Sequence, residues 1–170
     1  MWPRFAPFVD DEAANREALD YACKQVEADP SDGLFWLLRG NCHYRLGELE
    51  EAADAYHRAG DLGEEHSHAY FFYASCLIEL GRIDDAIPPL RLQLEAIPDH
   101  IDALFLLGLC LRQADLGEES DALLERVRDL DIRFYEEMFS KYVDLLAKGS
   151  SDPMLGQALK EAAKTLRDNG

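Results

Sequence analysis

Apolar positions along the chain come in blocks. Leu34-Phe35-Trp36-Leu37-Leu38, Tyr70-Phe71-Phe72-Tyr73 and Ala103-Leu104-Phe105-Leu106-Leu107 are three dense ones, each covering most of a helical circumference. A helix that is hydrophobic almost all round must be covered almost all round. The stretch Leu34 to Leu46 is rich in helix formers and breaks at Gly47. The next helix carries Glu48, Glu50 and Glu51 in its opening turn, where they complement the helix dipole, and it ends near Gly60. The pattern predicts paired helices joined by glycine turns.

The pairs recur. Gly40, Ala74 and Gly108 stand 34 residues apart, as do Cys42, Cys76 and Cys110. Gly47 and Gly81 keep the same step, and so do Ala52 and Ala86 and also His66 and His100. Gly117 and Ala122 follow Gly81 and Ala86 after 36 residues, which predicts a two-residue insertion at the turn between Cys110 and Gly117.

A helix, a glycine turn and a helix on a 34-residue period resemble the tetratricopeptide repeat. The motif positions are Trp36, Gly40, His43, Ala52 and Tyr56 in the first unit. They are Tyr70, Ala74, Leu77, Ala86, Leu90 and Pro98 in the second, and Leu104, Gly108, Leu111, Ala122 and Arg126 in the third. Ala18 and Pro30 keep the twelve-residue step of Ala86 and Pro98, which reads as a lone second helix over residues 11–28. Arg39 replaces the usual leucine, His43 the aromatic and Glu64 the terminal proline. Pro88 and Pro89 fall early in a second helix, where a kink or a late helix start is expected.

The fold class that this resemblance implies is all-α: a right-handed α-solenoid of antiparallel helix pairs with capping segments. The expected organisation is an extended segment over residues 1–10 and an array over 11–147. The array comprises the lone helix, repeats at about 33–66, 67–100 and 101–136, and a degenerate helix over 133–147. Asp152 and Pro153 would start a last, capping helix over 153–168. The N-terminal Trp2, Phe5, Phe8 and Val9 suit a lid on the first helix or a strap entering a groove.

In such arrays one face of each first helix lines a concave groove where peptides lie. Here that face carries Leu34, Leu37, Asn41, Tyr44 and Arg45. It continues with His68, Phe71, Ser75, Ile78 and Glu79, then with Asp102, Phe105, Leu109, Arg112 and Gln113. Leu37, Phe71 and Phe105 form its middle and are expected to be exposed or covered by a partner. The resemblance implies a protein–protein interaction module, adaptor or chaperone-like, for an extended or helical peptide with apolar anchors. A scaffold that self-associates through the same face is the alternative, with a homo-oligomer as its product. The carboxylate clamp of some tetratricopeptide domains is absent, because Leu37 and Asp102 stand where lysines are needed and only Asn41 matches. Size, acidity and three repeats are also similar to the class II chaperones of type III secretion.

Charge narrows the partners. The 170 residues hold 17 Lys and Arg against 34 Asp and Glu, a net charge of -17. Such a chain repels phosphate backbones and anionic lipid, so nucleic acid and membrane surfaces are excluded as first partners. The nine apolar residues Ala103 to Leu111 are too few for a membrane span, which needs about 20. The first residues lack the pattern of a secretory signal, and a cytoplasmic setting with four free cysteines is expected. Equivalent cysteines in stacked helices lie roughly 8–10 Å apart, too far for a disulfide. His66-Ser67-His68 beside Glu64 and Glu65 lacks a third ligand and reads as a solvated loop. No phosphate loop, GxSxG or HExxH is present, so neither an enzyme nor a cofactor or metal is expected.

Overall fold

A computed structural model describes residues 12–63 and 68–149. The segments expected over 1–10 and 153–168 lie outside the described residues, as does the loop with Glu64, Glu65, His66 and Ser67. The described residues form helices α1 (Glu12–Ala28), α2 (Gly33–Leu46), α3 (Leu49–Asp61) and α4 (Ala69–Glu79). They continue with α5 (Ile83–Ala96), α6 (Ile101–Gln113), α7 (Gly117–Leu130) and α8 (Ile132–Gly149), with no strand among them. The chain divides into two compact units between Pro98 and Asp99. In the first, α1 to α4 each pack on the next helix in sequence; in the second, α6 packs on α7 and α7 on α8.

Local chemistry sets the helix ends. Asp32 caps α2, its carboxylate accepting the Leu34 N–H at 2.9 Å. Gly47 ends α2 in the left-handed region at φ 78°. The Gly47 N–H reaches Tyr44 O and the Glu48 N–H reaches His43 O, so the last carbonyls of α2 are satisfied. The same reversal recurs at Gly81 (φ 77°), with Gly81 N–H to Ile78 O and Arg82 N–H to Leu77 O.

The third reversal corrects the expected register. It falls at Asp115, whose φ is 61°, with the Asp115 N–H to Arg112 O and the Leu116 N–H to Leu111 O. Positions 47, 81 and 115 are 34 apart, so the period is strict and there is no insertion. Gly117 is instead the first residue of α7. The alanine position of the third unit is Ser120, fully buried like Ala52 and Ala86, whereas Ala122 and Arg126 are exposed. Leu124 takes the place of Tyr56 and Leu90. Glycine marks this turn only where it is present; aspartate is among the few other residues that tolerate the left-handed region. Asp115→Gly is expected to raise stability by about 0.5 kcal/mol and Asp115→Val to lower it by more than 1 kcal/mol, as read by chemical denaturation.

Small residues let the paired helices approach. A Cβ on Gly40 would lie 2.6 Å from Tyr56 Cδ1, and one on Gly108 2.9 Å from Leu124 Cγ. Ser120 adds a bond across the α6–α7 pair, its hydroxyl donating to Gly108 O at 2.7 Å. α5 runs without interruption through Pro88 and Pro89, so the late start expected there does not occur. Prolines lack an N–H, which leaves the carbonyls of Asp84 and Asp85 without helical partners in the first turns of α5. Pro89 and Leu90 are buried, and Gln93, one turn on, is fully buried with its Oε1 accepting the Phe71 N–H at 3.1 Å. Gln93 thereby caps α4 from another helix, because His68 at the N-cap makes no side-chain cap bond. The Gln93 Nε2 has no hydrogen-bond partner among the described residues.

Candidate functional site

The expected groove residues divide by accessibility. In the first unit Leu34 is 57% exposed, and Arg45, His68 and Glu79 are exposed as well. Leu37, Asn41, Tyr44, Ser75 and Ile78 are half-buried. Leu37 and Tyr44 of α2 pack with Phe72 and Tyr73 of α4 against a core of Ala52, Ala53, Tyr56 and Cys76. The structure thus brings the exposed side of α2 and the exposed side of α4 together over α3.

Hydrogen bonds fix the polar members of this face. The Tyr56 hydroxyl donates to Asn41 Oδ1 at 2.8 Å, which orients the amide with its Nδ2 outward from that bond. The Tyr44 hydroxyl donates to Glu79 Oε1 at 2.7 Å and ties α2 to α4. Burial, and then this bond to Glu79, hold the Tyr44 phenol well above its ordinary pKa, so it remains a donor at every physiological pH. Ser75 Oγ donates to Phe71 O at 2.9 Å within α4.

Phe71, Phe105 and Leu109 are not the exposed groove floor that the sequence predicts. Phe71 is 5% exposed, Phe105 1% and Leu109 7%. Phe105 is enclosed by α8: the rings of Phe134 and Tyr135 meet it edge-on at 6.0 Å and 6.5 Å. The next first-type helix along the chain therefore covers this position. Arg112 in the second unit is half-buried and engaged, with its Nε donating to Ser120 Oγ and its Nη2 to Asp121. The open part of the expected groove in the first unit is therefore the stretch from Leu34 to Arg45 and from Ser75 to Glu79.

The four cysteines are free thiols, three buried and Cys23 half-buried. Burial pushes the Cys76 thiol up to about 12 and raises Cys42 as well. Thiol reagents attack the thiolate. At pH 8 the folded chain is therefore expected to label at Cys23 first, with Cys42, Cys76 and Cys110 reacting only on unfolding. Mass mapping of an alkylated sample checks this.

A second concavity lies between α2 and α3. It is a cleft of about 500 Å³ lined by Trp36, Arg39, Glu51, Asp54, Arg58 and Asp61, among others. Trp36 Nε1 donates to Pro30 O at 2.9 Å, and the Arg39 guanidinium carbon lies 5.3 Å from the Trp36 ring centre. The one sequence signal of this cleft is the departure from the repeat motif at Arg39. Gln93 gave no sequence signal: one amide in an apolar helix looks like any surface glutamine.

Among the described residues, no group of three or more His, Cys, Asp or Glu side chains could hold a metal ion. No described helix is long and apolar enough to cross a membrane.

The family model of subunit 3 of the anaphase-promoting complex, or cyclosome, matches residues 12–91. No curated protein matches the chain. Solved structures do. YrrB, a TPR protein with an unusual peptide-binding site, superposes with a TM-score of 0.65 at 21% identity, over 88% of this chain and 84% of its own. MamA superposes with a TM-score of 0.65 at 15% identity, over 97% of this chain and 98% of its own. A MamA chain from residue 41 to its end, from Desulfovibrio magneticus RS-1, gives 0.65 at 18% identity over 91% and 87%. At these identities the likeness is one of fold.

Proposed function

From its tetratricopeptide-repeat fold, an all-α array of antiparallel helix pairs of the α-solenoid class, we propose that this chain is a protein-interaction module that seats an extended peptide on the α2–α4 face of its first unit. The observation that carries this reading is the composition of that face. Leu34, Leu37, Tyr44 and Ile78 are accessible in whole or in part, and Asn41 is held in one orientation by Tyr56. Arg45 and Glu79 flank them with opposite charges. Apolar anchors beside a few oriented polar groups suit a peptide whose side chains enter between the helices while its backbone meets an amide. The similarity to a TPR protein with a peptide-binding site supports the same reading. The role is that of an adaptor or chaperone-like holder rather than of an enzyme. Four free thiols favour a reducing compartment such as the cytoplasm.

The test is selection of binding peptides from a displayed random library, followed by affinity measurement with single variants. Peptides with apolar anchors are expected to bind the parent chain. Ile78→Glu and Leu34→Glu are expected to weaken them by about tenfold or more, with each variant's melting temperature little changed. Affinity that is insensitive to both changes removes the peptide from this face. The competing occupant is a second copy of the chain. Light scattering that shows concentration-dependent association, lost in the same two variants, assigns the face to self-assembly instead.

A further inference from the structure

α1 is a second helix with no first helix before it among the described residues. In the other pairs the alanine position of the second helix is closed. Ala52, Ala86 and Ser120 are fully buried, and Ser120 bonds to Gly108 O of its own first helix. Ala18 holds the same position in α1, 34 residues before Ala52, and is only half-buried. Three residues further on, Ala55 and Pro89 are buried, whereas their counterpart Tyr21 is 53% exposed. Phe35 of α2 meets the Tyr21 ring edge-on at 6.0 Å and is half-buried, while its counterparts Ala69 and Ala103 are fully buried. Ala18, Tyr21 and Phe35 thus stand open at positions that the other pairs close.

The chain before Glu12 carries the side chains that would close them. Trp2, Ala6 and Val9 precede Trp36, Gly40 and His43 by 34 residues, and Trp2 stands 16 residues before Ala18, as Trp36 stands 16 before Ala52. Trp36 lines a cleft with Ala55, the counterpart of Tyr21, so the register sets Trp2 against Tyr21. We propose that residues 1–11 dock back on the first unit, with the Trp2 indole on Tyr21 and Phe35, in the place of the first helix that α1 lacks. Reach is ample: Tyr21 lies roughly 14 Å from Glu12 along α1, and ten residues of chain span up to about 33 Å. α1 opens six residues before its alanine position, where α3, α5 and α7 open three before theirs, so the return onto α1 is sharper than the other turns. Pro3 and Pro7 do not bar the placement, since α5 keeps its helix through Pro88 and Pro89. Charge favours it: residues 1–9 hold Arg4 and no Asp or Glu, in a chain whose net charge is -17. The docked segment covers an apolar edge on which a second copy of the chain could otherwise sit. It stands apart from the peptide-binding reading, since neither Tyr21 nor Phe35 belongs to the α2–α4 face.

The experiment uses the full chain carrying Trp36→Phe, so that only Trp2 emits. Its emission is expected to lie to the blue of the urea-unfolded chain and to be shielded from acrylamide, equally at low and high chain concentration. Adding Tyr21→Glu is expected to abolish the blue shift and the shielding while the helix content, read by circular dichroism, stays the same. Trp2 quenched as freely in the folded chain as in urea overturns the proposal, and so does shielding that survives Tyr21→Glu. Shielding that appears only as the concentration rises seats the segment on a second copy and overturns docking within one chain. If W36F does not fold, the Tyr21 ring resonances of the parent chain decide. They are expected to move when Trp2→Ala is introduced, and ring signals unmoved by that change overturn the proposal.

Discussion

Phe105→Glu is expected to unfold the second unit at room temperature. The side chain is 1% exposed, and two rings of α8 close over it. Truncating a buried phenylalanine typically costs about 3–5 kcal/mol. An unpaired carboxylate in its place adds several kcal/mol more, or forces the acid to stay protonated. The whole stability of an ordinary domain is about 5–15 kcal/mol, so the sum consumes most of it. Circular dichroism with a urea titration reads the result: loss of helix at low urea in Phe105→Glu, against a cooperative transition in the parent. Leu34→Glu is the control. Leu34 is 57% exposed, and such a change is expected to stay within about 0.5 kcal/mol. A Phe105→Glu chain that melts like the parent would place Phe105 on the surface after all.

That contrast shows where sequence reasoning reached and where it stopped. Helix pairs and their spacing were legible because the turn between paired helices has a chemical requirement, a residue that accepts positive φ, and glycine announces it at Gly47 and Gly81. At Asp115 the same conformation is carried by a residue that is common everywhere in an acidic chain, so the signal vanished and Gly117 was mistaken for it. Ser120 was hidden for a related reason. A hydroxyl in an alanine position reads as polar until its bond to Gly108 O is seen. Pro88 and Pro89 predicted a disturbed helix start, yet the rest of α5 packs well enough for the helix to run through them.

The groove was legible as a helix face and illegible as a surface. Periodicity places Leu37, Phe71 and Phe105 at one repeat position, but it does not say how far the following helix leans over that position. Packing decides it: α8 supplies Phe134 and Tyr135 over Phe105, and Leu37 shares with Phe72 and Tyr73 of α4 the core of Ala52, Ala53, Tyr56 and Cys76. What remains accessible on α2 and α4 is more polar than the expected aromatic ladder. Recognition there would rest on few apolar anchors and on the Asn41 amide and Tyr44–Glu79 pair.

Gly40→Ala is expected to destabilise the first unit by up to about 2 kcal/mol, although alanine is the better helix former. Two terms compete. Removing a mid-helix glycine is worth about 1 kcal/mol in favour of the variant. Against it, the new Cβ would sit 2.6 Å and 2.7 Å from Cδ1 and Cε1 of Tyr56, far inside ordinary contact. Overpacking a tight interior costs about 1–3 kcal/mol where the neighbour cannot give way. Tyr56 cannot: it is 3% exposed, its hydroxyl is bound to Asn41 and its ring lies 5.3 Å from that of Phe72. Relief must come from separating α2 and α3, which loosens the whole pair. A double-mutant cycle with Tyr56→Ala isolates the clash. Tyr56→Ala alone is expected to cost about 3–5 kcal/mol, the usual price of emptying an aromatic site. In that background the obstacle is gone, so Gly40→Ala is expected to reverse sign and stabilise by up to about 1 kcal/mol. Urea denaturation of the four chains measures both steps. If Gly40→Ala stabilises the parent as much as it stabilises the Tyr56→Ala chain, the close approach of α2 and α3 at Gly40 is wrong.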